Sequence, residues 1–343
     1  MKNKNLYKNC HLCPRNCGVD RLRGKRGYCG ADRNLRLARA ALHFWEEPCI
    51  SGTKGSGAVF FSGCSLHCVF CQNEPIAQGR AGKVIPPERL SEIFLELQEK
   101  GANNINLVTP GQYVPHIIEA VEKAKDQGMK LPVIYNTGGY ESVETLKLME
   151  GIVDVYLPDF KYMDPALAKQ FSRAEDYPAV AKDALREMVR QKPKCLFYRE
   201  CSGKHNDTGS RIDTGSRNET EDRNDSESRN RIYTEYEEGL LIQEGVIVRQ
   251  LLLPGHVKDA EAVVRYLHET YGSRIYLSMM SQYTPMSQVK SMAFSELCRR
   301  VTRREYEHLL DYAIDLGVEQ AFMQEGQTAK ESFIPDFASG EGV

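Results

Sequence analysis

No stretch of this chain approaches the roughly 18 consecutive apolar residues of a membrane-spanning helix, so no membrane partner is expected. An apolar run is also missing after Met1-Lys2-Asn3-Lys4-Asn5, which argues against a signal peptide and for a cytoplasmic location. Excess charge is missing as well: 45 Lys and Arg against 47 Asp and Glu leave a net charge of −2. That balance gives no electrostatic reason to expect a nucleic-acid partner. With 343 residues, 41% of them apolar, the chain is long enough for one large α/β domain or two small ones.

Cysteine, by contrast, is abundant and unevenly placed. Of eleven cysteines, eight fall in the first 71 residues: Cys10, Cys13, Cys17, Cys29, Cys49, Cys64, Cys68 and Cys71. In a reducing compartment such clusters serve metal binding or redox chemistry more often than disulfides. The alternative is a set of buried thiols acting as small apolar residues.

Residues 1–57 are rich in Cys, Arg and Gly and show little periodicity beyond Leu35–Phe44. From residue 58 onward short apolar runs at 58–62, 104–109, 132–136, 153–157, 246–253 and 274–280 alternate with amphipathic stretches. Helices are expected at 87–100, 114–127, 143–149 and 257–270. Continuous apolar runs suit parallel strands covered on both faces, and their alternation with helices implies right-handed βα units. The expected fold class is α/β, a partial (β/α)6-type barrel of parallel strands over 58–343 with a Cys-rich N-terminal extension over 1–57. Residues 201–239 interrupt this rhythm. They are nearly free of large apolar residues, and Asp207-Thr208-Gly209-Ser210-Arg211 recurs after Ile212 as Asp213-Thr214-Gly215-Ser216-Arg217. Such a segment cannot bury enough apolar surface to offset its ordering entropy, so it is expected to be a disordered insertion.

The most specific pattern follows the first expected strand: Gly63-Cys64-Ser65-Leu66-His67-Cys68-Val69-Phe70-Cys71, a Cys-x3-Cys-x2-Cys loop. Thiolates are soft ligands for zinc and for iron–sulfur clusters. A structural zinc normally has four protein ligands, and this loop supplies three; His67 or Cys49 would have to complete such a site. Three ligands on a four-iron cluster instead leave one iron open to a cofactor or substrate.

In this spacing, and in the aromatic Phe70 before the last cysteine, the sequence resembles the radical S-adenosylmethionine (SAM) superfamily. The resemblance implies a [4Fe–4S] cluster on Cys64, Cys68 and Cys71 whose open iron chelates SAM. It also implies one-electron cleavage of SAM to a 5′-deoxyadenosyl radical that abstracts hydrogen from a substrate. Where the superfamily usually carries a Gly-Gly-Glu-like segment, this chain has Thr109-Pro110-Gly111-Gln112-Tyr113. It lacks the carboxylate there, so Thr109, Gly111 or Gln112 would have to hold the SAM amino group. Other strand ends add Asn136, then Asp159 and Lys161 in a segment similar to one in glycyl-radical activating enzymes. Arg249, before Pro254-Gly255, matches an Arg that in those enzymes contacts the SAM carboxylate. Gln282 is a candidate for the ribose or adenine side. Read without the resemblance, each is an ordinary turn or surface residue.

Cys10, Cys13, Cys17 and Cys29 form a second set in a loop-rich, Gly-rich segment. They read as a closed metal site, zinc or a second iron–sulfur cluster, or as reduced thiols tucked against the barrel. Longer strings resemble the pyruvate formate-lyase activating enzyme-like branch of the superfamily. These are Cys13-Pro14-Arg15-Asn16-Cys17-Gly18-Val19, the run from Ala41 to Gly52 that includes Trp45-Glu46-Glu47-Pro48, and Leu157-Pro158-Asp159-Phe160-Lys161. Met280-Ser281-Gln282-Tyr283-Thr284-Pro285 and Gln324-Glu325-Gly326 continue the match. The branch implies hydrogen abstraction from a glycine of a partner glycyl-radical enzyme, with electrons from a flavodoxin or ferredoxin. A radical SAM oxidoreductase acting on a small molecule, or a non-catalytic iron–sulfur or zinc protein, are the alternatives.

Overall fold

All six expected apolar runs form parallel strands, and a seventh follows them. The computed structural model describes residues 4–199, 212–213, 239–290, 294–323, 335, 337 and 339–343. The parallel strands are β2 (Ser56–Phe61), β4 (Ile105–Val108), β5 (Val133–Thr137), β6 (Val155–Pro158), β9 (Leu240–Leu251), β10 (Tyr276–Met280) and β11 (Ala321–Met323). β1 (Arg36–His43) runs antiparallel beside β2, and β3 (Lys83–Val84) beside β1. The sheet order is β11-β10-β9-β6-β5-β4-β2-β1-β3. Off this path, β7 (Leu196–Arg199) pairs antiparallel with the start of β9, and β8 (Ile212–Asp213) pairs with β7. Six βα connections therefore link seven parallel strands, short of the eight of a complete barrel. The rest of 201–239, expected as an insertion, lies outside the described residues, as do 324–334.

The four expected helices are present within two residues of their expected ends: α3 (Pro87–Glu99), α4 (Val114–Asp126), α5 (Val143–Leu148) and α8 (Val257–Tyr271). In α3 the buried Leu90, Ile93, Phe94 and Leu97 recur at helical spacing, and Pro87 opens the first turn, where a missing N–H does no harm. The short helix α1 (Pro48–Ser51) and the pair α6 (Pro165–Ser172) and α7 (Tyr177–Gln191) fill the connections that sequence periodicity left blank. Another such connection holds α10 (Arg303–Asp315), which carries a capping box in which Thr302 and Glu305 satisfy each other's backbone N–H groups.

Strand alternation sorts the core into two faces. Val133, Tyr135, Tyr156, Val246, Val248, Leu277 and Met279 point outward into the helix-covered core. Ile134, Val155, Leu157, Ile247 and Tyr276 point inward, where Cys49 and Ile50 of α1 close the space among them. Two residues further along each strand, the inward positions become Asn136, Asp159, Arg249 and Ser278. The interior is thus apolar at the N-terminal ends of the strands and polar at their C-terminal ends.

The described residues before β2 are fastened to the barrel at several points. Besides β1, Thr145 Oγ1 donates to the Leu12 carbonyl (2.8 Å), and Arg21 donates to the Gln112 carbonyl (2.7 Å).

Candidate active site

At the C-terminal ends of the parallel strands lies a cavity of about 500 Å³. Its lining includes Cys64, Cys68, Cys71, Thr109, Asn136, Asp159, Lys161, Arg249 and Gln282. The structure brings together nine of the eleven residues expected around one site. Gly111 and Gln112 are the exceptions. Gly111 lies in a buried turn, where an added Cβ would come 2.8 Å from the Glu141 carboxylate and away from the cavity. Gln112 is likewise structural: its side-chain amide donates to the carbonyls of Gly63 (3.0 Å), Thr109 (2.9 Å) and Ser62 (3.2 Å). It ties the end of β2 to the end of β4 beneath the cysteine loop.

That loop leaves β2 through Gly63, whose φ of +97° suits glycine. A Cβ there would sit 2.5 Å from the Cys29 carbonyl oxygen. Arg15 holds the loop from outside: its Nε donates to the Ser65 carbonyl (2.7 Å), and its other nitrogens to the carbonyls of Arg173 (2.6 Å) and Ser172 (3.2 Å). Sulfur atoms in the loop already receive hydrogen bonds. The Leu66 N–H faces Cys64 Sγ at 3.4 Å, and the Ser172 hydroxyl, at the end of α6, faces Cys68 Sγ at 2.9 Å. Burial pushes the thiols of Cys68 and Cys71 up, with Lys161 opposing the rise. Bound metal overrides such a rise, because a coordinating thiol loses its proton. Hydrogen-bonded sulfurs on a loop facing a cavity fit a thiolate-bound cluster. Among the described residues, no three His, Cys, Asp or Glu side chains converge closely enough for a single metal ion.

Two ion-paired groups share the cavity with the thiols. Lys161 Nζ pairs with Asp159. Burial alone would lower the Lys161 ammonium, but Asp159 and then Cys68 reverse this and hold it above its ordinary value. Arg249 makes a two-pronged pair with Glu47, including Nε to Oε1 at 2.7 Å, and shares a nitrogen with Glu46. Burial would raise the Glu47 carboxyl; Arg249 more than offsets it and holds the group below the usual range. Glu46 also accepts from Asn106 Nδ2 (2.9 Å). Glu46 and Glu47 both line the cavity, and neither was singled out in the sequence beyond its place in a resembling string. Phe44 and Trp45, just before them, stand at the rim, 50% and 58% exposed. Thr109 takes a left-handed backbone (φ +56°) where β4 ends, an uncommon conformation for a β-branched residue, and its N–H bonds the Asn136 carbonyl at 2.8 Å.

Comparison with known proteins agrees with this geometry. Residues 58–198 match the radical SAM superfamily. The uncharacterized protein MJ0674 of Methanocaldococcus jannaschii is 26% identical over 319 residues, 90% of this chain and 75% of that one. Among solved structures, Streptococcus suis SuiB bound to S-adenosylmethionine aligns with a TM-score of 0.43 at 10% identity. That alignment covers 77% of this chain and 48% of SuiB, so the chain spans about half of SuiB's length. A domain of pyruvate-formate lyase-activating enzyme from Bacteroides vulgatus ATCC 8482 aligns with a TM-score of 0.36 at 11% identity, covering 65% of this chain and 100% of that domain. No helix among the described residues is long and apolar enough to cross a membrane. The part of the chain that matches the radical SAM superfamily, a family that uses a [4Fe–4S] cluster and S-adenosylmethionine, runs from β2 and its cysteine loop to β7.

Proposed function

We propose that the cavity is a radical SAM active site in which Cys64, Cys68 and Cys71 ligate a [4Fe–4S] cluster, and that the hydrogen donor is a glycine of a partner protein. One observation carries the reading: three thiols from one loop open on the same cavity as Asp159, Lys161, Asn136 and Thr109. Cys64, Cys68 and Cys71 would hold the cluster, and the chemistry it would supply there is one-electron reduction of SAM to a hydrogen-abstracting radical.

The chain's own residues then have separable tasks. Ser172 and the Leu66 N–H donate to the ligating sulfurs. Lys161 and Asp159 offer one charge of each sign to the carboxylate and ammonium of SAM, and Thr109 and Asn136 offer polar contacts beside them. Gln282, across the cavity, faces the nucleoside side. Arg249 meets a SAM carboxylate only in competition with Glu46 and Glu47, which already occupy its guanidinium. The electron donor is a low-potential flavodoxin or ferredoxin, as the sequence resemblance implies.

The exposed aromatic pair Phe44 and Trp45 at the rim supports entry of a peptide loop, since apolar surface at a cavity mouth favours a docking chain. A cavity of about 500 Å³ also lies in the range small ligands occupy, which supports the second reading, a small-molecule substrate. EPR after incubation with SAM, reductant and a glycyl-radical protein of the same cell separates them: a glycyl doublet supports the partner reading, and its absence despite 5′-deoxyadenosine formation supports the small-molecule one. Cys68→Ala is expected to abolish both the cluster absorbance and 5′-deoxyadenosine formation; a SAM-responsive cluster in that variant overturns the assignment.

A further inference from the structure

We propose that Cys10, Cys13, Cys17 and Cys29 bind a second iron–sulfur cluster, a tetrathiolate site of net negative charge in the seam between the N-terminal segment and the barrel; a single ion does not fit, because among the described residues no three such side chains converge closely enough for one. Between residues 4 and 35 the chain forms only two short 3-10 turns, Lys4–Tyr7 and Arg21–Arg23, and its own apolar cluster is small, built on Tyr7, Cys10 and Leu12. Segments with so little core are commonly held by a metal or by disulfides, and these thiols are free. The fold nevertheless gathers them. Cys29 lies in the electrostatic neighbourhood of Cys10 and Cys17, and Cys13 in that of Cys29 and Cys17. The Tyr28 N–H donates to Cys17 Sγ at 3.2 Å, an amide-to-sulfur bond of the kind that supports ligating thiolates.

Two buried groups point to the missing charge. Arg21 is fully buried, and a guanidinium stays protonated in a protein. Its nitrogens donate to backbone carbonyls, those of Asp32 (2.6 and 3.0 Å) and Gln112 (2.7 Å), and its plane lies 4.2 Å from the Tyr7 ring centre. Among the described residues no carboxylate pairs with it, and carbonyls satisfy its hydrogen bonds without neutralising its charge. An uncompensated buried cation costs several kcal/mol. The nearby side chains able to take negative charge are Cys10, whose Sγ is 3.8 Å from Nη1, Cys29 and Tyr7. A free thiol is neutral at pH 7, whereas metal ligation makes thiolates of all four. A [4Fe–4S] cluster on four thiolates carries net negative charge and would be the counter-ion Arg21 lacks. The Tyr7 hydroxyl gives the second sign. It is buried, has no hydrogen-bond partner, and has Cys10 and Cys29 as electrostatic neighbours, where metal-bound sulfur would accept from it. The centre would abut the first cluster's loop, because the Cys29 carbonyl packs against Gly63, the residue before Cys64.

The test uses the full chain with Cys64, Cys68 and Cys71 replaced by alanine, reconstituted anaerobically and analysed for iron, sulfide and zinc. The expected result is about four iron with matching sulfide per folded chain, and zinc alone overturns the cluster. Adding Cys13→Ser and Cys17→Ser should bring this to background. A folded triple variant that holds neither metal overturns the proposal, and so does metal that survives loss of Cys13 and Cys17. If the triple variant does not fold, the wild-type count decides. Iron beyond the roughly four of one cluster supports the second centre; one cluster's iron alone overturns it. Since the first cluster's ligands are absent from the main sample, failure here leaves the radical SAM reading untouched.

Discussion

Ser172 shows how a residue distant in sequence enters the site: its hydroxyl lies 2.9 Å from Cys68 Sγ and 2.8 Å from the Tyr162 hydroxyl. Hydrogen bonds to cluster sulfurs favour the reduced, more negative state. Ser172→Ala should therefore lower the cluster potential by at most roughly 40 mV, the one-electron equivalent of about 1 kcal/mol. An EPR-monitored redox titration checks it. Glu141 gives a pH-dependent prediction. Burial pushes its carboxyl up to about 7, against hydrogen bonds from Thr137 and Tyr135. The native state thus holds the proton longer than the unfolded chain. Stability should fall as pH rises from about 4.5 through 7 and level off above that, by up to about 3 kcal/mol. Glu141→Gln should remove that slope in chemical denaturation between pH 5 and 8; an unchanged slope contradicts it. At this scale the cysteines, Asp159 and Lys161 were legible because strand ends and spacing mark them. Glu46 and Glu47 were not: adjacent acids read as a solvated surface, and only pairing with Arg249, some 200 residues away, reveals them as cavity residues.

The cysteine loop, as an element, depends on contacts from outside itself. Arg15 spans the Ser65 carbonyl and the end of α6. Arg15→Ala removes three hydrogen bonds that charge strengthens, and should cost about 2–3 kcal/mol in stability and lower cluster occupancy without abolishing it. Iron content per folded chain and a denaturation curve measure both; wild-type values in each would show that the loop holds its own shape. Helices α3, α4, α5 and α8 and the six long strands were readable because their apolar residues recur at clear periods. β11 was missed because three residues, Ala-Phe-Met, carry no period. β1 was missed because its positions mix Arg and Ala, its apolar signal coming from pairing with β2.

Across the whole molecule, parallel strands carry alternate inward residues from an apolar end to a polar one, so one cavity collects side chains from positions 43 to 335. That fold class was legible as repeated βα units; the way residues 1–57 join the sheet and close the far end of the interior was not, because the segment has little periodicity. Apart from Ile212 and Asp213, residues 207–230 lie outside the described residues, and their sequence reads as a tolerated loop expansion. Their deletion should leave soluble yield, iron content and SAM cleavage within about twofold of the full chain, and loss of soluble protein would contradict that. The central claim rests on the Cys64 loop. Its most direct test is EPR of the anaerobically reconstituted, dithionite-reduced protein with and without SAM, alongside an assay for 5′-deoxyadenosine. A [4Fe–4S]⁺ signal perturbed by SAM, with the nucleoside formed, is the predicted result; zinc in place of iron, or a cluster indifferent to SAM, would contradict the account.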